Sequence, residues 1–459
     1  MENPFFEKEI YTKRRNILKQ EMRTGIILLL GNDESSSNFK DNWFPFRQDS
    51  TFLYYGGISI ANLAIIINAD TGEEILFGDE LSIDDIIWTG KQTTLHELAD
   101  LVGINKVMPL NTITNFLKAQ VAYTPPYRPE HLIKLSEWLS IPIKSVETNT
   151  SLALIKAITK QRSIKSPEEI RQLELAATIT ARMHKAVMSQ VVAGMYEYEV
   201  AAIGQKVLWE NNASNSFLPI VTINGNVLHN HYYGNKLTEG KMLLFDSGAE
   251  LKNGYCGDMT RTIPIGKQFT VQQKEIYTIV YDSYTKAVSL LKPDITFKDI
   301  HLAACVEIAN GLIEMGLMKG NAEEAVATNA HTLFFQCGLG HMIGLDAHDM
   351  ESFGEENFGY TDELIKSKIF GLKSLRLGKK LEENHCLTVE PGIYIIPELI
   401  EKCKAENLYT DFVNYNKLES FKNFGGIRVE DAFVITKNGS KLLGEPLAIN
   451  CDAVEALRS

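Results

Sequence analysis

The sequence predicts two domains, an α/β domain in residues 1–160 and an α+β domain in residues 161–459. The chain has 459 residues, more than one hydrophobic core usually organises, which favours two domains over one. Short β-rich runs alternate with helical patterns in the first part. In the second part, two long helical patterns precede a strand-rich stretch that is punctuated by Gly and Asn.

The N-terminal elements follow from hydrophobic periodicity. GIILLLG at 25–31 predicts a strand, and LAIIINADTGEEILFG at 63–78 predicts a hairpin that turns at NADTGE. Apolar residues at helical spacing predict helices over 93–102 and 129–140. Residue types typical of catalysis do not cluster here, so the active site is expected in the second domain.

A strong helix start marks the junction between the two predicted domains. Ser166 is followed by Pro167 and Glu169, the pattern of a capping box with proline at the first helical position. It predicts a long helix that runs to about Gln190. A second helix is predicted over YEYEVAAIGQKVLWENN, and the chain after it contains every functional motif.

The acidic composition limits the kinds of partner. The formal net charge is -12 and the isoelectric point is near 5.4, which argues against a surface for nucleic acid or an anionic membrane. MENPFFEKEIYTKRRNILKQEM has no apolar signal region, and the cysteines form no C-x-x-C pair. We therefore expect a cytoplasmic protein with free thiols that binds neither nucleic acid nor membrane.

Two carboxylates lie in stretches that otherwise have the pattern of buried strands. LLFDSGAELKNGYCGDMTRTIPIG at 243–266 contains Asp246 and Asp258, and a turn at LKNG would bring both side chains to one site. An unpaired charge in a strand costs several kcal/mol, so such carboxylates usually have a partner or a metal. For this stretch alone, a solvated or turn-capping pair is the simpler alternative.

Further candidate ligands follow in three motifs. FFQCGLGHMIGLDAHD contains His341 and His348 among glycines, which argue for backbone packed closely around a ligand, although two structural histidines fit equally well. Glu390 in LTVEPGIYI ends an apolar strand that the next residue, a proline, must terminate. Glu430 in GGIRVEDAFVIT is predicted inside a strand, two residues after Arg428 on the same face, where an internal ion pair is the alternative.

A pair of divalent cations explains these carboxylates together. Two such cations carry four positive charges, which balance the four negative charges of Asp246, Asp258, Glu390 and Glu430. Oxygen donors with a single imidazole suit Mn²⁺ or Fe²⁺ better than a thiolate-rich zinc site would, although Co²⁺ and Zn²⁺ compete on affinity. The sequence therefore favours two divalent metal ions, with Mn²⁺ preferred.

Five motifs occur along the chain in this order: FPFRQDSTFLYYGGI, DSGAE with GDMTRT, GLGHMIGLDAHD, TVEPGIY and GIRVEDAF. Together they resemble the pita-bread metallopeptidases, and among them the Xaa-Pro aminopeptidases (aminopeptidase P) and Xaa-Pro dipeptidases (prolidases). The first motif is similar to the start of the creatinase-like N-terminal domain of this family, so the resemblance covers nearly the whole chain. It implies a creatinase-like α/β domain followed by a pita-bread α+β catalytic domain.

The resemblance implies a dinuclear site with five protein ligands. Asp246 would hold one metal, His341 and Glu390 the other, and Asp258 and Glu430 would bridge both. The ions would acidify a bridging water to hydroxide and polarise the scissile carbonyl. The implied activity is hydrolysis of the Xaa-Pro bond at the N-terminus of peptides, so short proline-containing peptides are the expected partners.

The resemblance also implies roles for side chains around the metals. Glu390 would accept the proton of the water, and His229 and His348 would bind substrate and stabilise the developing oxyanion. Arg428, counted with the substrate-binding residues, matches an arginine that supports the bridging glutamate. A homodimer or higher homo-oligomer is also expected from the family.

Two features depart from the family pattern. Cys337 stands where the family usually has His, which is expected to alter turnover or specificity, and a thiol there is a candidate for metal binding or oxidation. The spacing of 12 between Asp246 and Asp258 is one residue longer than usual, which predicts a bulge or longer turn within ELKNGY.

Two other functions stay open. Arg376 in GLKSLRLGK resembles a prolidase segment whose arginine pairs with the carboxylate of a dipeptide, although a surface-loop arginine fits equally well. The other hypothesis is a binding protein that keeps this scaffold and has lost the metals. Cys337 supports this hypothesis, and the intact set of carboxylates argues against it.

Overall fold

The chain divides into two compact units in the computed structural model, which describes residues 5–118 and 120–458. One unit extends to Arg162 and includes the later segment Met350–Asn357, and the other comprises Ser163–Asp349 and the residues from Phe358 onward. The boundary expected from the sequence, between residues 160 and 161, lies close to the first division. The segment at 350–357 has no counterpart in the prediction.

The N-terminal unit is built on a five-stranded mixed sheet. Its strands are Ile26–Leu30, Ala64–Asn68, Glu74–Phe77, Lys106–Met108 and Val121–Ala122. The first strand lies between the second, to which it is antiparallel, and the fifth, to which it is parallel. The α-helices of this unit are Lys8–Met22, Ser50–Gly56, Ile83–Thr89, Leu95–Leu101, Pro129–Leu139, Ile143–Val146 and Leu152–Ser163.

Local sequence signals account for several of these elements. The predicted hairpin is confirmed, because the second and third strands pair antiparallel and Asn68 Oδ1 accepts the backbone N–H groups of Asp70 and Thr71 at the turn. The helix predicted over 93–102 begins after a capping box between Thr94 and Glu97. The predicted α/β class of this domain is confirmed.

The C-terminal unit begins with the predicted long helix. Ser166 Oγ accepts the N–H of Glu169, whose carboxylate accepts the N–H of Ser166, so the capping box is confirmed. The α-helices of this unit are Pro167–Gln190, Glu197–Glu210, Val271–Leu290, Phe297–Glu314, Ala322–Ala327, Pro397–Ala405, Tyr415–Leu418 and Cys451–Arg458, and the short helix Glu355–Phe358 begins in the segment assigned to the other unit. Short 3₁₀ helices of the whole chain are Leu110–Phe116, Ala330–Leu333, Glu351–Phe353, Leu372–Ser374 and Glu419–Phe421.

Small antiparallel sheets occupy the centre of the C-terminal unit. The strands are Ser214–Asn215, Ile220–Thr222, Met242–Asp246, Ala249–Glu250, Thr260–Pro264, Cys386–Val389, Gly392–Tyr394, Gly426–Arg428, Asp431–Thr436 and Gly439–Leu442. Met242–Asp246 is the middle strand of one three-stranded sheet, and Asp431–Thr436 is the middle strand of another. A bridge between Thr260, in the first sheet, and Glu430, directly before the middle strand of the second, links the two sheets. The predicted α+β class is therefore confirmed, and the candidate ligands lie where these sheets meet.

Within the described ranges, no helix combines the length and the apolar character needed to cross a membrane.

Candidate metal centre

The two aspartates face each other across the predicted hairpin. Asp246, the last residue of its strand, pairs with Thr260, and Asp258 stands two residues before that partner. The turn lies at LKNG as predicted, because the N–H of Leu251 bonds to the carbonyl of Tyr255 and Gly254 has φ of +85°. The residues Asp246 and Asp258 are 7% and 5% exposed, so both are buried and neither is a solvated turn cap.

The two glutamates enter the site from breaks between strands. Glu390 follows Cys386–Val389, which ends before proline as predicted. The prediction of Glu430 inside one continuous strand is wrong, because the structure interrupts this stretch between Arg428 and Asp431. Glu430 sits in the interruption, where its backbone N–H bonds to the carbonyl of Thr260 at 3.0 Å. The break lets the chain leave one sheet and enter the next.

His341 connects the carboxylates. Its Nε2 atom lies 3.5 Å from Asp258 Oδ2 and 3.5 Å from Glu390 Oε1. Its Nδ1 atom lies 3.1 Å from the carbonyl oxygen of Met342, which fixes the ring with Nε2 towards the cluster. Ligand atoms of Asp258, His341 and Glu430 all lie within 4.8 Å of one another. As predicted, the glycine-rich segment that carries His341 forms no regular helix.

The buried carboxylates destabilise one another's charged forms. Burial, followed by the charge of Asp246, raises the pKa of Asp258 to about 8. Burial also raises the pKa of Glu390, and it raises the pKa of Glu430 well above its usual value, with Asp258 as the next contributor. A cation placed among these groups would favour their ionised forms.

The unpaired oxygens of the cluster fit divalent metals. Among the described residues, Asp246 Oδ1, Asp258 Oδ1 and Glu430 Oε1 are buried and have no hydrogen-bond partner. An unsatisfied buried acceptor costs about 1–3 kcal/mol, more when it is charged. Oxygen donors from four carboxylates with one imidazole are a suitable set for two divalent cations. The donor set can therefore hold metal ions that activate water for hydrolysis.

Arg428 contacts a different carboxylate from the expected one. Its Nη2 atom forms an ion pair with Asp246 Oδ2, and its Nη1 atom donates to the Tyr394 hydroxyl at 2.9 Å. Its Nε atom donates to Thr260 Oγ1 at 3.2 Å, and that hydroxyl donates to Glu430 Oε2 at 2.6 Å. The support that Arg428 gives to Glu430 is therefore relayed through Thr260, and the alternative of a direct Arg-Glu ion pair is wrong.

His348 lies beside the cluster. Its ring centroid is 4.3 Å from that of His341, with the planes at 65°. Its charge, when present, lowers the pKa of Asp258. The structure thus brings His348 against the proposed ligands, in a half-buried position.

His229 and Arg376 lie further out. His229 is exposed, in an irregular segment before the strand of Asp246. Partial burial, and then the charge of Arg428, lowers the pKa of its imidazole, and Asp246 and Arg376 also act on it. The two outer residues are therefore within electrostatic range of each other and of the cluster.

Cys337 is near the cluster as well. Its thiol lies 3.8 Å from the Tyr394 hydroxyl. Burial, followed by the charge of Glu390, raises the pKa of this thiol to about 12. A thiol with so high a pKa stays protonated at neutral pH, which opposes the oxidation considered from the sequence.

Sequence reasoning assigned no role to three polar residues that orient this site. Thr260 and Tyr394 bind Arg428, and Thr388 Oγ1 accepts the backbone N–H of His341 at 3.1 Å. Thr260 and Thr388 are buried polar residues inside strands, as the Asp residues are, and that signal was available in GDMTRT and LTVE. Tyr394 carries no comparable signal because tyrosine is common in strands.

Comparisons with known proteins cover both units. The family described as Metallopeptidase family M24 matches residues 171–437, and the one described as Aminopeptidase P, N-terminal domain, matches residues 11–126. These matches confirm the predicted fold class, in which a pita-bread catalytic domain follows an N-terminal domain shared with aminopeptidase P.

Individual relatives match over most of their length. A probable Xaa-Pro aminopeptidase of Aspergillus niger is 30% identical, with 95% of this chain and 93% of that protein covered. The human Xaa-Pro dipeptidase is 29% identical, with 91% of this chain and 85% of that protein covered. The solved structure of zinc-substituted Escherichia coli aminopeptidase P in complex with product has a TM-score of 0.80 at 27% identity, with 98% of each chain covered.

Proposed function

This chain belongs to metallopeptidase family M24, and we propose the following function for it. It is a metal-dependent exopeptidase, an Xaa-Pro aminopeptidase, that hydrolyses the Xaa-Pro bond at the N-terminus of peptides. The observation that carries the proposal is the buried cluster in which three carboxylates keep an oxygen without a hydrogen-bond partner among the described residues. The chain is similar over most of its length to Xaa-Pro aminopeptidases, so we infer that this cluster holds the metal ions of such an enzyme.

The proposed metal ligands are those expected from the sequence. Asp246 would hold one ion, His341 and Glu390 would hold the other, and Asp258 and Glu430 would be shared by both. Their burial supports this assignment, because it raises the pKa values of Asp258, Glu390 and Glu430, and nearby cations would favour the charged forms of these carboxylates. We propose Mn²⁺ as the working metal because the donors are mostly oxygen and include no thiolate.

The side chains around the ions divide the remaining work. When bound, the ions acidify a water and polarise the scissile carbonyl. Glu390 accepts the proton of that water, since its carboxylate is the least buried of the four and reaches His341 at 3.5 Å. His348 and His229 donate to the carbonyl oxygen as negative charge develops on it. Arg428 and Thr260 hold Asp246 and Glu430 in place during this step.

The substrate preference follows from the chemistry of proline. The amide before proline is tertiary and has no N–H, so a peptidase that grips that N–H cannot use it. The proposed site needs no such grip, because His229 and His348 act on the carbonyl side of the scissile bond. Short peptides that begin Xaa-Pro are therefore the proposed partners.

A dipeptidase activity is the second candidate, and one observation favours it. Arg376 acts electrostatically on His229, so its guanidinium is near the proposed substrate position, where it could pair with the carboxylate of a dipeptide. The human Xaa-Pro dipeptidase is also among the relatives.

The test compares two substrates. The purified chain, stripped of metal and reloaded with Mn²⁺, is given Ala-Pro and Ala-Pro-Ala side by side, as are the R376A variant and a control, K373A, from the same loop. Cleavage of the tripeptide by all three proteins supports the aminopeptidase. Cleavage of the dipeptide alone, lost in R376A and kept in K373A, would favour the dipeptidase. Cleavage of neither would favour a binding protein.

The wider biological setting is also part of the proposal. We assign residues 1–160 and 161–459 to the two domains and expect a homodimer or higher homo-oligomer in the cytoplasm. The acidic net charge of -12 supports the absence of nucleic-acid and anionic-membrane partners. Light scattering of the purified protein would test the oligomeric state.

A further inference from the structure

A second group of metal-binding residue types lies away from the carboxylate cluster. His301 and Cys305 are one turn apart on the helix Phe297–Glu314, so their side chains share one face. His331, on the short helix Ala330–Leu333, meets them there. One possible ligand atom from each of the three lies within 4.8 Å of the other two. They are 2%, 0% and 4% exposed, respectively.

The distances within this group suit a tetrahedral cation. Cys305 Sγ is 3.5 Å from His301 Nε2. Zinc binds sulfur at about 2.3 Å and nitrogen at about 2.0–2.1 Å, so the sulfur–nitrogen edge of a tetrahedral site is about 3.5–3.6 Å. In the structure this contact is a hydrogen bond between the thiol and the imidazole, and its length matches the separation that zinc requires, so the ion would replace the shared proton.

The hydrogen bonding of the two imidazoles is incomplete. Among the described residues, the Nδ1 atom of His331 is buried without a partner, so it can bind an ion. His301 would bind through Nε2, the atom that faces Cys305, and its own Nδ1 atom is likewise buried without a partner. Burial keeps both rings neutral, with the pKa of His301 lowered to about 3 and that of His331 to about 4. Neutral imidazole is the form that binds metals. A backbone carbonyl, that of Ala325, faces the His331 ring, as is usual behind a metal-bound histidine.

We propose that His301, Cys305 and His331 form a separate zinc site. The donors are two nitrogens and one sulfur with no carboxylate, so the site selects zinc over Mn²⁺, unlike the oxygen-rich centre. Binding converts the Cys305 thiol to thiolate and releases its proton to solvent. The ion ties Phe297–Glu314 to the segment that leads into the loop of His341. The proposal does not depend on the peptidase activity.

Cys337 must be distinguished from Cys305 in any test. The two thiols are close enough to interact electrostatically, and Cys337 is also near Glu390. A thiolate–metal signal from Cys337 at the carboxylate centre would mimic the proposed site.

The test uses the full chain with the oxygen-rich centre disabled by D258N and E430Q together. After metal removal, loading with zinc and removal of excess, we expect about one zinc ion per chain by mass spectrometry, and almost none when C305S is added. In the otherwise unchanged chain, Co²⁺ should give a thiolate charge-transfer band that C305S abolishes. That band should persist in C337S. It should also persist in the control variant C403S, because Cys403 is a buried cysteine on another helix, Pro397–Ala405.

Two results would overturn the proposal. One is the absence of zinc from the folded D258N/E430Q protein. The other is a cobalt band that survives C305S and disappears in C337S. If C305S does not fold, H331Q replaces it, with the same expected loss of zinc and of the band's tetrahedral character.

Discussion

Replacing Thr260 by valine should weaken metal binding at the carboxylate centre. The Thr260 hydroxyl donates to Glu430 Oε2 at 2.6 Å and accepts from Arg428 Nε at 3.2 Å, and the residue is fully buried. A hydrogen bond to a charged group contributes about 1.5–3 kcal/mol, and Thr260 favours the ionised form of Glu430 that binds metal. Since 1.4 kcal/mol is a factor of ten, T260V should lower metal affinity by about 10–100-fold.

The assay is a titration of metal-free protein with Mn²⁺, in which binding is measured by calorimetry and activity by hydrolysis of Ala-Pro-Ala. The control is T159V, because Thr159 is also buried and its hydroxyl also makes two hydrogen bonds, to the carbonyls of Lys156 and Asn357, within the N-terminal unit. The control should lose stability and keep its metal affinity. An affinity of T260V within twofold of the unchanged protein, or an equal loss in T159V, would refute the relay through Thr260.

Two further predictions concern stability. Burial, followed by the charge of Lys379, lowers the pKa of His385 to about 3, so between about pH 6.5 and pH 3 only the unfolded chain takes up this proton and the free energy of unfolding falls. From pH 7 to pH 5, the metal-free protein should therefore lose about 2 kcal/mol more of its free energy of unfolding in urea than H385Q does. Equal losses in the two proteins would contradict this prediction. E74A removes the carboxylate that lies 2.7 Å from Arg15, a side chain that is 0% exposed and then keeps only backbone carbonyls as acceptors. It should destabilise the N-terminal unit by about 3–5 kcal/mol in thermal unfolding without changing bound metal, whereas E73A, at an exposed ion pair, should change neither.

Local signals in the sequence predicted those elements whose cause is local. The capping box at Ser166 and the hairpin after Asn68 involve hydrogen bonds between residues two or three apart, so they can be found without knowing the fold. The strand-embedded carboxylates were also visible, because a charge in an apolar run needs a reason. That reasoning located Asp246, Asp258 and Glu390 in the site region.

Features that depend on distant chain segments were not predictable in the same way. Arg428 could pair with either Asp246 or Glu430, and the choice depends on the bridge between Thr260 and Glu430, 170 residues apart. The break in the strand at Glu430 has the same origin. Two polar residues at a spacing of two, such as Arg428 and Glu430, are consistent with one continuous strand or with two strands that meet at a bend.

The second metal group illustrates the same limit. His301 and Cys305 have helical spacing, but a single His-x-x-x-Cys on a helix is usually core packing. Only the fold brings His331 to them. Side chains that meet through tertiary structure leave no periodic trace in the sequence.

The most direct test of the account is to measure bound metal and Ala-Pro-Ala hydrolysis together in the unchanged protein and in D258N. Asp258 is buried, contacts His341 at 3.5 Å and keeps an oxygen without a partner among the described residues, so its carboxylate should be needed to hold the ions. We predict that D258N stays folded by circular dichroism, loses metal from the carboxylate centre and loses activity by more than about 100-fold. A folded D258N protein with full activity and unchanged metal content would contradict the dinuclear centre.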